Sequence, residues 1–501
     1  MRKIRSIQFV LWLALGAAAA GCGQPAPGSE LGQSQEMSEV TASLTTVPSG
    51  VLCVKLALSG SVSSSLMLTV ASGASSASLS LGSVPAGNLT VTPSAFNVAC
   101  SSVTSSTVPT WTGPAVTVTV VAGTPLVVPL TLQPFGATAA VNFVPFVKAV
   151  GAGSYSSYAL LSDGTVRAWG HNGVGQLGDG TVTHRSTPVA VSGLSGVASL
   201  ATNGQGYHSC AVKTGGSAWC WGWNAYGQLG NNTTTSSSVP VAVTGGYLFR
   251  QISQGYSHAC GVTTSGYVTC WGSNWSGQFG NYTSTSSLVP IAPMYPLIAA
   301  VEEVQCGASF SCVRGGNQEV ACTGDNSSGE LGTGNTTSTN YWTASSLRTP
   351  ATLPAGIGLG AYHACAVVPV DGSMRCVGDN EFGELGDGTT TDRYSAVAVS
   401  GLAAVTAIAA GNYFTCALKS DGTVWCWGYN YYGELGDRTE VSHSTPAPVY
   451  GLSQVVSIAA GETHVCVAKA DGTAWCWGQN ANGELGDATM TNRAQPAKVV
   501  F

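Results

Sequence analysis

A phrase built from Cys, Trp-Gly and Gly-x-Leu-Gly returns through residues 146–501 at intervals of 50 to 54, and this period constrains the fold more than any other feature. Its clearest copies read Cys416-x9-Cys426-Trp427-Gly428-x-Asn430-x2-Gly433-Glu434-Leu435-Gly436 and Cys466-x9-Cys476-Trp477-Gly478-x-Asn480-x2-Gly483-Glu484-Leu485-Gly486. The glycine closing the Trp-Gly position falls at Gly170, Gly222, Gly272, Gly324, Gly378, Gly428 and Gly478, so the unit occurs seven times. A unit of this length cannot bury a core alone and must stack on its neighbours. Within each unit the helical period is missing, and short alternating runs are bounded by Gly, Asn, Asp and Ser. Small antiparallel sheets stacked radially satisfy that pattern.

The region before the repeats reads differently. Met1 to Gly21 has a basic start (Arg2, Lys3, Arg5) and an apolar run, then ends in Ala19-Ala20-Gly21-Cys22. This is an export signal, residues 1–21, too short for a stable membrane span. Its end resembles the bacterial lipoprotein cleavage box, which implies lipidation of Cys22, although Ala19 stands where Leu is usual. An ordinary signal peptide cut nearby is the alternative. Residues 22–46, rich in Gln, Ser, Glu, Pro and Gly, are expected to form a flexible tether. Residues 47–136 alternate in short strands separated by Gly, Pro and Ser, which predicts a small β-sandwich of immunoglobulin-like kind. A Cys53–Cys100 bridge would stabilise it by about 3–4 kcal/mol in the chain-entropy model.

Charged residues form only 8% of the chain, against about 25% in an ordinary domain. Cysteine is more informative. Between Cys416 and Cys426, the run Lys419-Ser420-Asp421-Gly422-Thr423 reads as a hairpin loop with Gly in the left-handed position. Pairing Lys419 with Thr423 sets Cys416 opposite Cys426, close enough for a disulfide. The same register gives Cys210–Cys220, Cys260–Cys270, Cys312–Cys322, Cys365–Cys376 and Cys466–Cys476, all bridges in an oxidising compartment. The first repeat has Tyr158 and Ala168 instead, and Cys306 is left as a buried thiol. His208, His258, His363 and His464 stand two residues before the first Cys, on the same strand face. A zinc site needs four ligands, however, and Phe310 and Phe414 occupy that position elsewhere, so these histidines are expected to be packed and no metal is expected.

Trp169, Trp221, Trp271, Trp427 and Trp477 suit apolar wedges between sheets, and Thr323 and Val377 in their place predict looser packing in the fourth and fifth repeats. The frame at Gly461 to Gly486 resembles the repeat of the regulator of chromosome condensation family, apart from Val467 and Ala468 after the first Cys. The resemblance implies a seven-bladed β-propeller of four-stranded blades over residues 137–501, within an all-β chain. Functionally it implies protein binding as a class. A guanine-nucleotide exchange role by family analogy is weakened because the even spacing leaves little room for an inserted wedge. Pro496 to Phe501 is expected to pair beside the first repeat near Val147 and so close the ring.

No nucleophile turn, phosphate loop or cofactor motif occurs, so the chain reads as a binding protein rather than an enzyme, with a glycan-processing enzyme as the remote alternative. The pairs Glu434/Asp437 and Glu484/Asp487 read as solvated turns rather than catalytic carboxylates or calcium ligands. In the Gly-x-Asn-x2-Gly loops the variable positions carry Trp223, Tyr226, Trp275, Glu381, Phe382, Tyr429, Tyr431 and Tyr432. Corresponding loops of a propeller emerge at one level, so these side chains suit a binding rim for a protein or, by stacking, a carbohydrate. They equally suit packing between blades. After residue 300 there are 19 acidic and 9 basic side chains, against 5 and 9 before it. That balance disfavours nucleic acid and suits a basic partner. The expected molecule is a monomeric, exported lipoprotein of a bacterial cell envelope, touching membrane only through its anchor and binding an envelope or external protein or glycan.

Overall fold

The computed structural model describes residues 37–501 except 45–46, 48–50, 72–75, 105–106, 108, 114, 122–124, 135–144, 292–299, 317–318, 348–355 and 369–370. The expected signal, Cys22 and the first part of the expected tether lie outside the described residues. The chain divides into two compact units at residue 137.

In the first unit, Met37–Leu44 lies between Ala77–Pro85 and Leu126–Leu130 in one sheet. A second sheet runs Ser64–Thr69, Cys53–Gly60, Gly87–Phe96, with Val116–Val120 and Trp111–Thr112 on the far side of the last. Residues 37–44 therefore correct the tether expectation. Val40, Ala42 and Leu44 alternate into a core shared with Leu56, Leu58, Leu89 and Val91 of the other sheet, a period of two that the surrounding polar residues obscured. Cys53 and Cys100 are bonded, with Cα atoms 5.0 Å apart.

Among the described residues the second unit holds seven four-stranded sheets, which we call blades 1 to 7; they are antiparallel throughout except in blade 3, where Thr202–Gly204 pairs parallel with Phe249–Gln254 as the fourth strand. Blade 1 comprises Val147–Gly153, Ser156–Leu161, Val166–Gly170 and Arg185–Ala190 in that order. The innermost strands of the others are Val197–Leu200, Phe249–Gln254, Val301–Cys306, Ile357–Leu359, Val405–Ala410 and Val455–Ala460. The innermost strands of all blades but the third line an axial cavity of about 440 Å³. The second and third strands of blades 2 to 7 are joined by disulfides between directly facing residues, as in Cys416 opposite Cys426. Such a set points to an oxidising, extracytoplasmic compartment. In the intervening hairpin Gly422 has φ 76° and the Thr423 N–H donates to Asp421 Oδ1.

Blade 7, like blade 1, takes all four strands from its own repeat, and this corrects the expected closure. Arg493–Lys498 pairs with Ala474–Gly478 inside blade 7, Lys498 opposite Trp475. The third strand of each repeat needs an outer partner, and the segment that follows it supplies one: a strand in six blades and an isolated bridge, Gly272 with Ser287, in blade 3. The ring closes instead through the contacts that join every other pair of blades. Trp169 Nε1 of blade 1 donates to the Glu484 carbonyl of blade 7 at 2.8 Å, as Trp221 does to Gln176, Trp271 to Gln228 and Trp477 to Glu434.

Blades 4 and 5 lack this tryptophan without losing the packing. Trp342, from the outer strand of blade 4, fills the space beside Gly280 that Trp271 fills beside Gly230, and Thr323 Oγ1 donates to the Gly277 carbonyl. In blade 5 the corresponding space beside Gly332 is taken by Ser345 and Ser346. Thr323 and Val377 are both fully buried.

Candidate binding face of the propeller

The turn after each innermost strand and the loop after each third strand emerge at the same end of a blade, because successive strands are antiparallel. The loops are built alike, and a buried Asn organises each. In blade 6, Asn430 Oδ1 accepts from the Leu435 N–H, and its Nδ2 donates to the carbonyls of Thr439 and Val441 and to Asp437 Oδ1. Asn172, Asn224, Asn274, Asn326, Asn380 and Asn480 repeat this arrangement. One amide thus fixes both halves of a long loop, and the variable side chains project from a rigid frame.

A buried Gln or Glu closes the first half. Gln176, Gln228 and Gln278 in blades 1 to 3, and Glu330, Glu384, Glu434 and Glu484 in blades 4 to 7, each accept from the backbone N–H two residues earlier. The expectation of solvated glutamates is therefore corrected: Glu434 and Glu484 are fully buried. Their side chains fold back onto their own loop, and the next blade packs over them. Burial pushes Glu434 and Glu384 up to about 8 and Glu330 to about 7, and raises Glu484. Asp437 bonds Thr439 and the His443 ring, while Asp487 pairs with Arg493. These carboxylates serve the loops.

The histidines before the first Cys reach into the next blade. His258 Nε2 lies 3.0 Å from Ser311 Oγ, His363 Nε2 2.8 Å from Thr415 Oγ1 and His464 Nε2 2.8 Å from Ser157 Oγ. Blade 3 has Ala259 at that position, and neither ring nitrogen of His208 has a partner among the described residues. Burial holds His208, His258 and His363 down at about 3 and His464 at about 4. Ligand atoms of His258, Cys260 and Cys306 lie within 4.8 Å of one another. Cys260 is bonded to Cys270, which leaves two donors where a structural zinc site needs four. The Cys306 thiol, raised by burial to about 12, lies 3.5 Å from the Ser253 carbonyl oxygen.

The expected rim residues share this end of the propeller and fall into two groups. In blades 1 to 3, rings meet from Tyr207 to Trp223 (6.5 Å), Trp223 to Tyr226 (5.4 Å) and Tyr226 to Trp275 (5.0 Å). In blades 5 and 6, Phe382 meets Tyr429 at 4.9 Å, and Tyr429 meets Tyr431 and Tyr432. Trp275 and Tyr431 are 68% and 66% exposed. Glu381 is exposed beside Phe382.

Sequence reasoning missed an inner set. Tyr155, Tyr207, Tyr256, Tyr362 and Tyr413 stand in the turns after the innermost strands and extend both groups toward the axis. The signal was present, since an aromatic residue recurs three or four positions before the first Cys of most repeats. Glu462 occupies that turn in blade 7. Burial raises Tyr155, Tyr207, Tyr256 and Tyr362, and the Glu462 carboxylate adds to all four effects.

Residues 204–501 match the RCC1-like domain, and residues 147–176 and 163–212 match the regulator of chromosome condensation (RCC1) repeat. The ultraviolet-B receptor UVR8 of Arabidopsis thaliana is 30% identical over 112 residues, 22% of this chain and 26% of the receptor. The human E3 ubiquitin-protein ligase HERC2 is 37% identical over 93 residues, 19% of this chain and 2% of the ligase. The chain thus spans about a quarter or less of the length of these curated relatives. Human WBSCR16 has a similar fold, with TM-score 0.61 and 22% identity, over 67% of this chain and 95% of that one. So does Prp20p of Saccharomyces cerevisiae, with TM-score 0.59 and 18% identity, over 71% and 88%. Its seven blades and a match that spans more than half of its residues show that the chain belongs to the family of RCC1-like domains.

Proposed function

We propose that the propeller is a protein-binding module that uses the aromatic end of the ring and performs no chemistry of its own, within an exported protein anchored through a lipid on Cys22. The observation that carries the reading is the exposure of Trp275 and Tyr431 on loops that their buried asparagines hold rigid. Rigid exposed aromatics bind at low entropic cost and are the usual anchors of protein interfaces. The family supports a scaffold role, and the disulfides support the export.

Replacing Trp223, Trp275 and Tyr431 together by Ala should abolish capture of the envelope or extracellular protein that the wild-type chain retains, with the melting temperature nearly fixed. A mutant that melts several degrees lower and still captures the partner would show that the rings are packing. A glycan array run on the same pair separates the carbohydrate reading, which requires wild-type signal that the mutant loses. For the anchor, Cys22→Ser should release the chain from the membrane fraction.

A further inference from the structure

A recess of about 260 Å³ opens between blades 6 and 7, beside the outer strand Arg493–Lys498. Arg438, Tyr450 and Leu452 line it from the blade 6 side, and Lys469, Trp475 and Pro496 from blade 7. Among the described residues its lining includes no carboxylate, although acidic side chains outnumber basic ones by 19 to 9 after residue 300. Neither Arg438 nor Lys469 enters an ion pair among the described residues. The recess is therefore a positive spot in the acidic half of the chain.

Arg438 is held in place before any ligand arrives. It takes φ 74°, at a position where blades 1, 4 and 5 have Gly180, Gly334 and Gly388, so a long side chain stands where the backbone favours glycine. Its guanidinium carbon lies 3.4 Å from the centre of the Tyr450 ring, and Nε donates to Gln495 Oε1 at 2.9 Å. Stacking and that bond fix the fork, and its two terminal nitrogens have no hydrogen-bond partner among the described residues. Lys469 Nζ stands 5.7 Å from the centre of the Trp475 ring. The same lysine–tryptophan contact recurs as Lys213 with Trp219 and Lys419 with Trp425. Those two junctions have Gly180 with Ser192 and Gly388 with Ser400 in place of Arg438 with Tyr450, and Lys419 is paired with Asp421 at 3.7 Å. The arginine and its tyrosine are thus what turn the third junction into a two-cation recess.

We propose that this recess binds one acidic sugar unit, a pyranose ring bearing a carboxylate, of an anionic polysaccharide. Arg438 and Lys469 take the carboxylate, the fork through its terminal nitrogens, and the apolar face of the sugar lies against Trp475 and Pro496. An inorganic anion would leave that apolar wall uncovered, and a neutral sugar would leave both cations without a counter-charge. A peptide carboxylate suits the site less, because Pro496 removes an edge donor that an added strand would need. The volume suits a single ring, being below the ~300 Å³ at which pockets for drug-sized ligands begin. The recess shares no residue with the aromatic rim and does not depend on the protein-binding reading.

The test titrates oligosaccharides of galacturonate, glucuronate and sialic acid into the full chain by calorimetry, each beside its carboxyl-reduced form, which keeps ring and linkage and loses the charge. At least one acid should bind about tenfold more tightly than its reduced partner, a difference of about 1.4 kcal/mol. Arg438→Gly should erase that preference at an unchanged or higher melting temperature, because glycine suits the backbone there. Arg438→Lys should retain part of it, and Lys419→Gln, at the matching place in blade 6, should leave it intact. The proposal is overturned if no acid exceeds its reduced form, if Arg438→Gly keeps the preference, or if inorganic phosphate at equal concentration displaces the glycan. A preference lost in the Trp223, Trp275 and Tyr431 mutant but kept in Arg438→Gly would move the glycan to the aromatic end and refute the recess.

Discussion

His208 shows how much one atom decides inside a repeat. Its counterparts His258, His363 and His464 each bond a hydroxyl of the following blade, whereas His208 faces Ala259 and has neither nitrogen satisfied among the described residues. A buried polar group without a partner costs about 1–3 kcal/mol. Ala259→Ser restores the hydroxyl in a frame that already holds one in blades 4, 6 and 1, at Ser311, Thr415 and Ser157. The expected result is a higher urea midpoint at unchanged slope, with a gain of about 1 kcal/mol. A midpoint that stays or falls would mean that the pocket cannot hold the extra oxygen.

At the scale of the element, the long loops are the units that carry function, and their stability resides in one asparagine each. Asn430→Ala removes the acceptor for the Leu435 N–H and the donor for the Thr439 and Val441 carbonyls. It should cost roughly 2–3 kcal/mol, read as a lower denaturation midpoint and faster amide exchange across residues 429–443. Asn430→Asp should restore the acceptor alone and give an intermediate value. The sequence displayed these loops as a recurring Gly-x-Asn-x2-Gly, and the hairpin disulfides followed from pairing arithmetic, because both are local patterns. What stayed hidden was tertiary. Glu434 reads as a surface residue until its side chain is seen bonded to the Tyr432 N–H under the next blade. Trp342 stands 19 positions after the Thr323 that it compensates, and only the packing beside Gly280 joins them. The inner tyrosines and Glu462 shift by one position between repeats, so they converge in space without aligning in the chain. Strand Met37–Leu44 escaped for a plainer reason, since its three buried apolar side chains alternate with Thr and Ser in a polar neighbourhood.

For the whole molecule the buried ionisable groups set a pH window. His208, His258, His363 and His464 titrate far below their ordinary 6.5 in the folded chain, so their contribution to stability is complete above pH 6.5 and is lost as pH falls toward 3. Glu330, Glu384, Glu434 and Glu484 are raised above their ordinary 4.5, so theirs is complete below pH 4.5 and is lost as pH rises toward 8. Between 4.5 and 6.5 the two sets oppose each other and stability should be nearly flat. Above that window only the glutamates change, and stability should fall until about pH 8, by up to about 1.4 kcal/mol per group per pH unit. Below it the histidines dominate, joined by Asp179, Asp387 and Asp487, which hydrogen bonds from loop threonines and then their arginine partners hold below the ordinary carboxylate value. Blades 1 to 3 already show how the alkaline loss is avoided, because Gln176, Gln228 and Gln278 make the same loop bond without a charge to bury. The double substitution Glu384→Gln with Glu434→Gln should therefore flatten most of the decline between pH 6.5 and 8 and leave the acid side untouched. Urea midpoints measured from pH 4 to 9 on both proteins decide it, and an alkaline limb that persists in the double mutant would place the titrating groups elsewhere in the ring.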